Sequence, residues 1–308
     1  MLVTAVLAFV AAATPAPALL LPAQPVGEPI DCNGPVFKSQ IYRDDVDCRE
    51  VARTKLTVQD QTVTLRILAD DEEDAELPPE YQEAAVEVID RAFAVVAAER
   101  KLNFHNVSVL PVEVYGQRRE AMMSGVTYWR GRSECIIALT VVPASRFTPE
   151  TNLAMFKFIV AHEAFHCVQS WNWSHQLLLE SAAWWKEGSA DLVAMLAYPG
   201  MDAQKKINLG YADIASAKAV TQMDYGNILF FHWLWAQSPS RVFDLIAAMP
   251  RDPANDTIEA QEAALRAWLP GYEAASARYA TCRLLRVIGV EASSPVIAYH
   301  DRVCAVDS

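Results

Sequence analysis

The spacing of apolar residues changes character several times along this chain. Over residues 55–59 and 62–68 apolar and polar positions alternate, with Leu56 and Val58, then Val63, Leu65 and Ile67, which predicts two short strands. From 80 to 101 the interval lengthens to three and four, as in Ala84, Val88, Ala92 and Val95, and predicts a helix backing the sheet. Residues 107–115, 126–129 and 135–142 return to strand patterning, the last two joined by a tight turn around Arg130-Gly131-Arg132. Thr148-Pro149-Glu150 then offers a capping residue, a proline for the first helical position and an early acid. Leu153, Phe156, Ile159, Val160, Ala164 and Val168 follow without Gly or Pro to about Trp171, apolar nearly all round, so this helix is expected to be buried. After Gly200 the clearer segments, 228–235, 242–249 and 258–268, are helical and are separated by Pro239, Pro250, Pro253 and Pro270. The expected class is α+β: a small mixed or antiparallel sheet packed on the buried helix, then a mostly helical C-terminal half.

The buried helix carries His162, Glu163 and His166, the spacing H-E-x-x-H. Residues four apart share a helix face, so both imidazoles can turn toward one ion. Glu163 is rotated about 100° from that stripe and is placed to act as a general base. A buried helix with two hydrogen-bonded histidines would look the same from this segment alone. A third ligand is available in Trp184-Trp185-Lys186-Glu187-Gly188-Ser189-Ala190-Asp191, where Glu187 lies on the next helical stretch. Asp191, one turn further on, can accept the free N–H of a ligand imidazole. Glu180 shares the face of Glu187 but has no acid four positions later.

H-E-x-x-H followed by E-x-x-x-D resembles the gluzincin metallopeptidases, which include thermolysin-like endopeptidases and zinc aminopeptidases. The resemblance covers residues 150–195 and extends to the W-x-x-E-G-x-A phrase from Trp184 to Ala190. It implies Zn2+ held by His162, His166 and Glu187, with Glu163 as base and proton shuttle on a metal-bound water, and Asp191 as the partner of a ligand histidine, His162. It implies a Tyr or His donor to the oxyanion from a downstream region, for which Tyr225 and His232 stand ahead of Tyr211, although both residue types also serve as packing. It further implies a sheet above the helix whose edge strand receives extended substrate, with 125–129 and 136–140 as candidates. Gln169 and Asn172 occupy the positions where a metzincin needs Gly and His, and no G-x-M-x-N-like aminopeptidase motif is present.

Composition agrees with an enzyme: 308 residues, 52% hydrophobic and 21% charged, can bury substantial cores. A net charge of −12 without Lys and Arg clusters argues against nucleic acid or anionic membrane as partner. The acidic run from Asp70 to Asp74 reads as a solvated loop without EF-hand spacing. Residues 1–23 contain no charged side chain, with an apolar stretch over 2–13 and Ala16-Pro17-Ala18 as a cleavage site, as in a signal peptide. Six cysteines, at 32, 48, 135, 167, 282 and 304, fit an exported, disulfide-bonded protein. Proximity suggests Cys32 with Cys48 and Cys282 with Cys304, leaving Cys135 and Cys167, among fifteen formal connectivities.

The expected organisation is a signal peptide (1–23), an N-terminal extension (24–54), a sheet-containing subdomain (55–147) and a helical zinc-binding subdomain (148–308). The expected function is a secreted or periplasmic zinc metallopeptidase acting on peptide or protein, with no stable membrane insertion after signal removal. Two rivals share the metal residues: a noncatalytic zinc-binding or cell-envelope interaction module, and a hydrolase of non-peptide amides.

Overall fold

One sheet and one central helix bring the H-E-x-x-H segment into the interior. The computed structural model describes residues 30–31, 47–70, 79–104, 107–116, 124–130, 134–141, 149–173, 183–198, 219–223, 227–249 and 257–277. Its strands are β1 (Ile30–Asp31), β2 (Asp47–Val58), β3 (Gln61–Asp70), β4 (Val109–Gly116), β5 (Ser124–Arg130) and β6 (Glu134–Val141). Its helices are α1 (Pro79–Ala98), α2 (Pro149–Asn172), α3 (Ala183–Ala197), α4 (Ile228–Gln237), α5 (Pro239–Ala248) and α6 (Ile258–Trp268), with a 3-10 turn at Val220–Gln222. The α+β class is therefore observed, and the sheet is mixed. Residues 1–23, expected to be a signal peptide, and Cys32, Cys282, Cys304, the acids at 71–74, Glu180, Tyr211 and Tyr225 lie outside the described residues.

The six strands run in the order β1-β2-β3-β4-β6-β5. Neighbours β1–β2, β2–β3 and β5–β6 are antiparallel, whereas β3–β4 and β4–β6 are parallel. The parallel step from β3 to β4 requires a crossover, which α1 supplies. β5 ends the described sheet, paired with β6 from Ser124↔Thr140 to Arg130↔Glu134. The candidate stretch 136–140 is thus interior, and 125–129 is the edge.

The alternation predicted for the first two strands is obeyed, since Leu56, Val58, Val63, Leu65 and Ile67 are all buried. Their turn uses Gln59 and Asp60 at φ 49° and 66°, the left-handed conformations that a tight hairpin needs and that glycine or asparagine usually supplies. Gln59 gains a compensating contact, donating from Nε2 to the Leu102 carbonyl at 3.1 Å. α1 stops at Ala98 rather than near 101 because Arg100 turns to φ 52° and bonds back to the Ala97 carbonyl.

α2 begins at Pro149 as the cap signals indicated, and every residue from Val160 to Gln169 is buried. It lies among β5, β6, α1 and α3. Cys135 on β6 and Cys167 on α2 form a disulfide, fastening the helix to the sheet one residue beyond His166. A single apolar core runs from Ala52 on β2 to Tyr272. None of the described helices is long and apolar enough to cross a membrane.

α3 meets α4 at a glycine. A Cβ on Gly188 would stand 1.8 Å from Asn227 Oδ1 and 2.7 Å from Phe231 Cε2, while Asn227 Nδ2 donates to the Trp184 carbonyl at 2.6 Å. Both groups are buried, and Asn227 cannot recede without breaking that hydrogen bond. Gly188→Ala is expected to lower stability by about 1–3 kcal/mol through overpacking, read as a lower Tm in calorimetry.

Candidate metal centre

Helical periodicity sets the first half of the centre. His162 and His166 stand one turn apart on α2, with ring centroids 4.6 Å apart and planes at 89°. α3 follows α2 in sequence, packs against it, and contributes Glu187 and, one turn later, Asp191. Glu187 Oε2 lies 3.1 Å from His162 Nε2 and 3.2 Å from His166 Nε2, and the two Nε2 atoms are 2.9 Å apart. The spatial convergence expected of these three residues is present.

Three donor atoms near 3 Å from one another leave a point about 2 Å from each, which matches nitrogen and oxygen coordination distances of about 2.0–2.2 Å. The donor chemistry fits as well. Asp191 Oδ1 is 2.8 Å from His162 Nδ1 and holds a ring proton there, so Nε2 is the His162 atom that faces the centre, beside Glu187 Oε2. Both histidines, Glu187 and Asp191 are buried, and crowded lone pairs in a low-dielectric setting call for a cation between them. His162, His166 and Glu187 can hold a metal ion.

Each carboxylate has a distinct electrostatic setting. Burial opposes charge on His162, but its hydrogen bonds to Asp191 and Glu187 prevail and hold its pKa up to about 10. Burial also pushes Glu187 upward, yet the two imidazoles reverse this and hold it well below the usual carboxylate range. Burial raises Asp191 despite the opposing bond to His162. The 2.8 Å contact between His162 Nδ1 and Asp191 Oδ1 occupies that ring nitrogen and leaves Nε2 to face His166 and Glu187. Lys186 Nζ sits 2.9 Å from Glu187 Oε1, so the two oxygens of Glu187 have separate partners and Oε2 alone faces the histidines.

Glu163 points from the same helix toward the sheet edge. Thr127 Oγ1 on β5 donates to Glu163 Oε2 at 2.7 Å and lies 3.0 Å from the Glu163 carbonyl oxygen. Two residues earlier, a Cβ on Gly125 would stand 2.6 Å from Ile159 Cγ2 and 2.7 Å from Glu163 Cγ. Only glycine lets the strand pass so close over the carboxylate. His232 is buried on α4 with its ring 5.6 Å from that of Trp235, and it stands outside the group of donor atoms lying within 4.8 Å of one another. Cys167, the neighbour of His166, is in its disulfide and so is not a ligand.

Thr127, Gly125, Lys186 and Gln169, whose Oε1 lies 2.8 Å from His166 Nδ1, are the site residues not singled out from sequence. Gln169 alone had a local signal, being three positions after a ligand on the same helix. Thr127 and Gly125 come from a strand whose placement over α2 depends on the whole sheet order. No protein-family model matches the chain, and no curated protein matches it.

After dialysis against chelator-free buffer the protein is expected to retain one divalent ion per chain by elemental analysis. His166→Ala and Glu187→Ala should each lose it, and Glu163→Gln should keep it. Retention of a full equivalent by both ligand variants would place the ion elsewhere.

Proposed function

We propose that this protein is an exported zinc metallopeptidase of gluzincin type, hydrolysing peptide bonds at the His162–His166–Glu187 centre. The observation that carries the reading is the pairing of a three-donor cluster with a separate carboxylate: Glu163 is buried beside the ligands yet is hydrogen-bonded to the sheet edge. A purely structural metal site closes its coordination with protein ligands and has no use for a base. The donor set, two imidazoles and one carboxylate, supports zinc as the metal, since it is a set used by catalytic zinc. The disulfide supports export, since such bonds persist in oxidising compartments.

When bound, zinc acts as a Lewis acid toward water and toward the carbonyl of the scissile bond. The chain's own residues account for the proton. Thr127 occupies Glu163 Oε2, which leaves Oε1 to take the proton of the attacking water and pass it to the departing amine. Gly125 keeps that carboxylate from being displaced by the strand above it. Asp191 holds His162 in the tautomer that presents Nε2 to the centre. The terminal strand β5 has one side unpaired within the described sheet, and an extended peptide adding there would lie over Glu163. Tyr225 and His232 are the candidates to donate to the oxyanion.

Cleavage of a mixed peptide pool by the zinc-loaded protein tests the reading. Glu163→Gln should lower kcat by about 10²–10⁴-fold with zinc content unchanged. Zinc bound with no Glu163-dependent cleavage would favour a noncatalytic module, and activity on small amides alone would favour the amide hydrolase.

The threonine contact makes a separate, finer prediction. Thr127→Val, which removes a charge-assisted hydrogen bond from the base, should lower kcat by about 10–100-fold while Thr127→Ser restores most of it. Equal activity of the Val and Ser variants would remove Thr127 from the mechanism.

A further inference from the structure

Gln169 is completely buried on α2, and the direction of each of its hydrogen bonds can be assigned. Its Nε2 lies 3.0 Å from the Lys186 carbonyl oxygen and 3.0 Å from Ser189 Oγ. A carbonyl oxygen only accepts, so the nitrogen end of the amide must face Lys186. The Ser189 hydroxyl is already committed, donating to the Trp185 carbonyl at 2.6 Å, so toward Gln169 it also accepts. Turning the amide over would set its oxygen against the Lys186 carbonyl, one acceptor facing another with no proton between them. The amide orientation is therefore fixed from two sides, and Oε1 faces His166 Nδ1 at 2.8 Å.

An amide oxygen has no proton to give. His166 Nδ1 must then be the donor, which leaves the Nε2 lone pair of the neutral ring directed at His162 Nε2 and Glu187 Oε2, 2.9 and 3.2 Å away. We propose that Gln169 is a positioning residue that fixes the tautomer and ring orientation of His166, through a chain of hydrogen bonds whose polarity is set by the backbone of α3. The proposal rests on reading the cluster as a metal site. It has a structural corollary: the single turn Trp185–Ser189 both supplies the ligand Glu187 and, through two carbonyls and one hydroxyl, aims a ligand belonging to a different helix. The two histidines are thus supported unlike one another, His162 by a carboxylate and His166 by a neutral amide.

The test uses the full chain labelled with nitrogen-15, with and without zinc, in wild-type, Gln169→Met and Gln169→Glu forms. Long-range proton–nitrogen spectra of the zinc-loaded wild type should show His166 protonated at Nδ1 and not at Nε2. Gln169→Met, similar in length but without an acceptor, should bind zinc about 10–100-fold more weakly by competition with a chelating dye, and His166 of the zinc-free variant should populate both tautomers. Gln169→Glu, which keeps an acceptor beside Nδ1, should restore the single tautomer. His162, whose partner is untouched, serves as the internal reference. A wild-type His166 protonated at Nε2 would overturn the proposal, as would a Met variant with unaltered zinc affinity and tautomer. Should the wild type bind no zinc, the metal reading falls while the zinc-free spectrum still decides the tautomer, and should the Met variant fail to fold, the wild-type spectrum decides it.

Discussion

Two imidazole nitrogens and a carboxylate oxygen, mutually about 3 Å apart and shielded from water, are the constraint around which the protein is arranged. Such an arrangement is unfavourable in an apolar interior unless a cation sits among the lone pairs or protons take its place. Protons shared among these groups ease the conflict, and the hydrogen bonds to Asp191 and Glu187 that hold His162 up while its imidazole partners hold Glu187 low express it. A metal resolves it with coordination and keeps the Nδ1 proton shared with Asp191. The Gly188–Asn227 contact fixes α3 against α4 and the Cys135–Cys167 bridge fixes α2 to the sheet, and both keep those donors from relaxing apart.

The sheet has a different task from the helices. α2 and α3 hold the groups that can bind an ion, whereas β5 reaches Glu163, through Thr127 and through the space that Gly125 leaves open. Glu163, the base of the proposed reaction, is thereby seated by an element that contributes no residue to the three-donor cluster. Because β5 also forms the end of the described sheet, the residues that seat the base lie on the strand an extended chain would join. In the proposed function this strand would link substrate binding to proton transfer over a few ångströms.

Much of this was legible before the structure because it is local. Helical periodicity alone puts His162 over His166 and Glu187 over Asp191, and an apolar surface on all sides of α2 announces its burial. Alternation located β2 and β3 because each hides one face on the core. What was illegible is non-local or depends on residues acting out of type. Gln59, Asp60 and Arg100 adopt left-handed conformations without being glycine, so neither the hairpin turn nor the end of α1 advertises itself. The strand order places β6 between β4 and β5, and no pattern within a strand records that it is an edge. Gly125 is one glycine among eleven until Glu163 is seen beneath it.

The convergence of His162, His166 and Glu187 on one ion is the claim on which the functional account stands. X-ray absorption at the zinc edge of the loaded protein measures it most directly, since it counts and identifies the atoms around the metal. The account predicts two imidazole nitrogens at about 2.0–2.1 Å with the remaining scatterers oxygen, and loss of one imidazole shell in His166→Ala. A sulfur shell at about 2.3 Å, or a wild-type spectrum with no imidazole contribution, would contradict it.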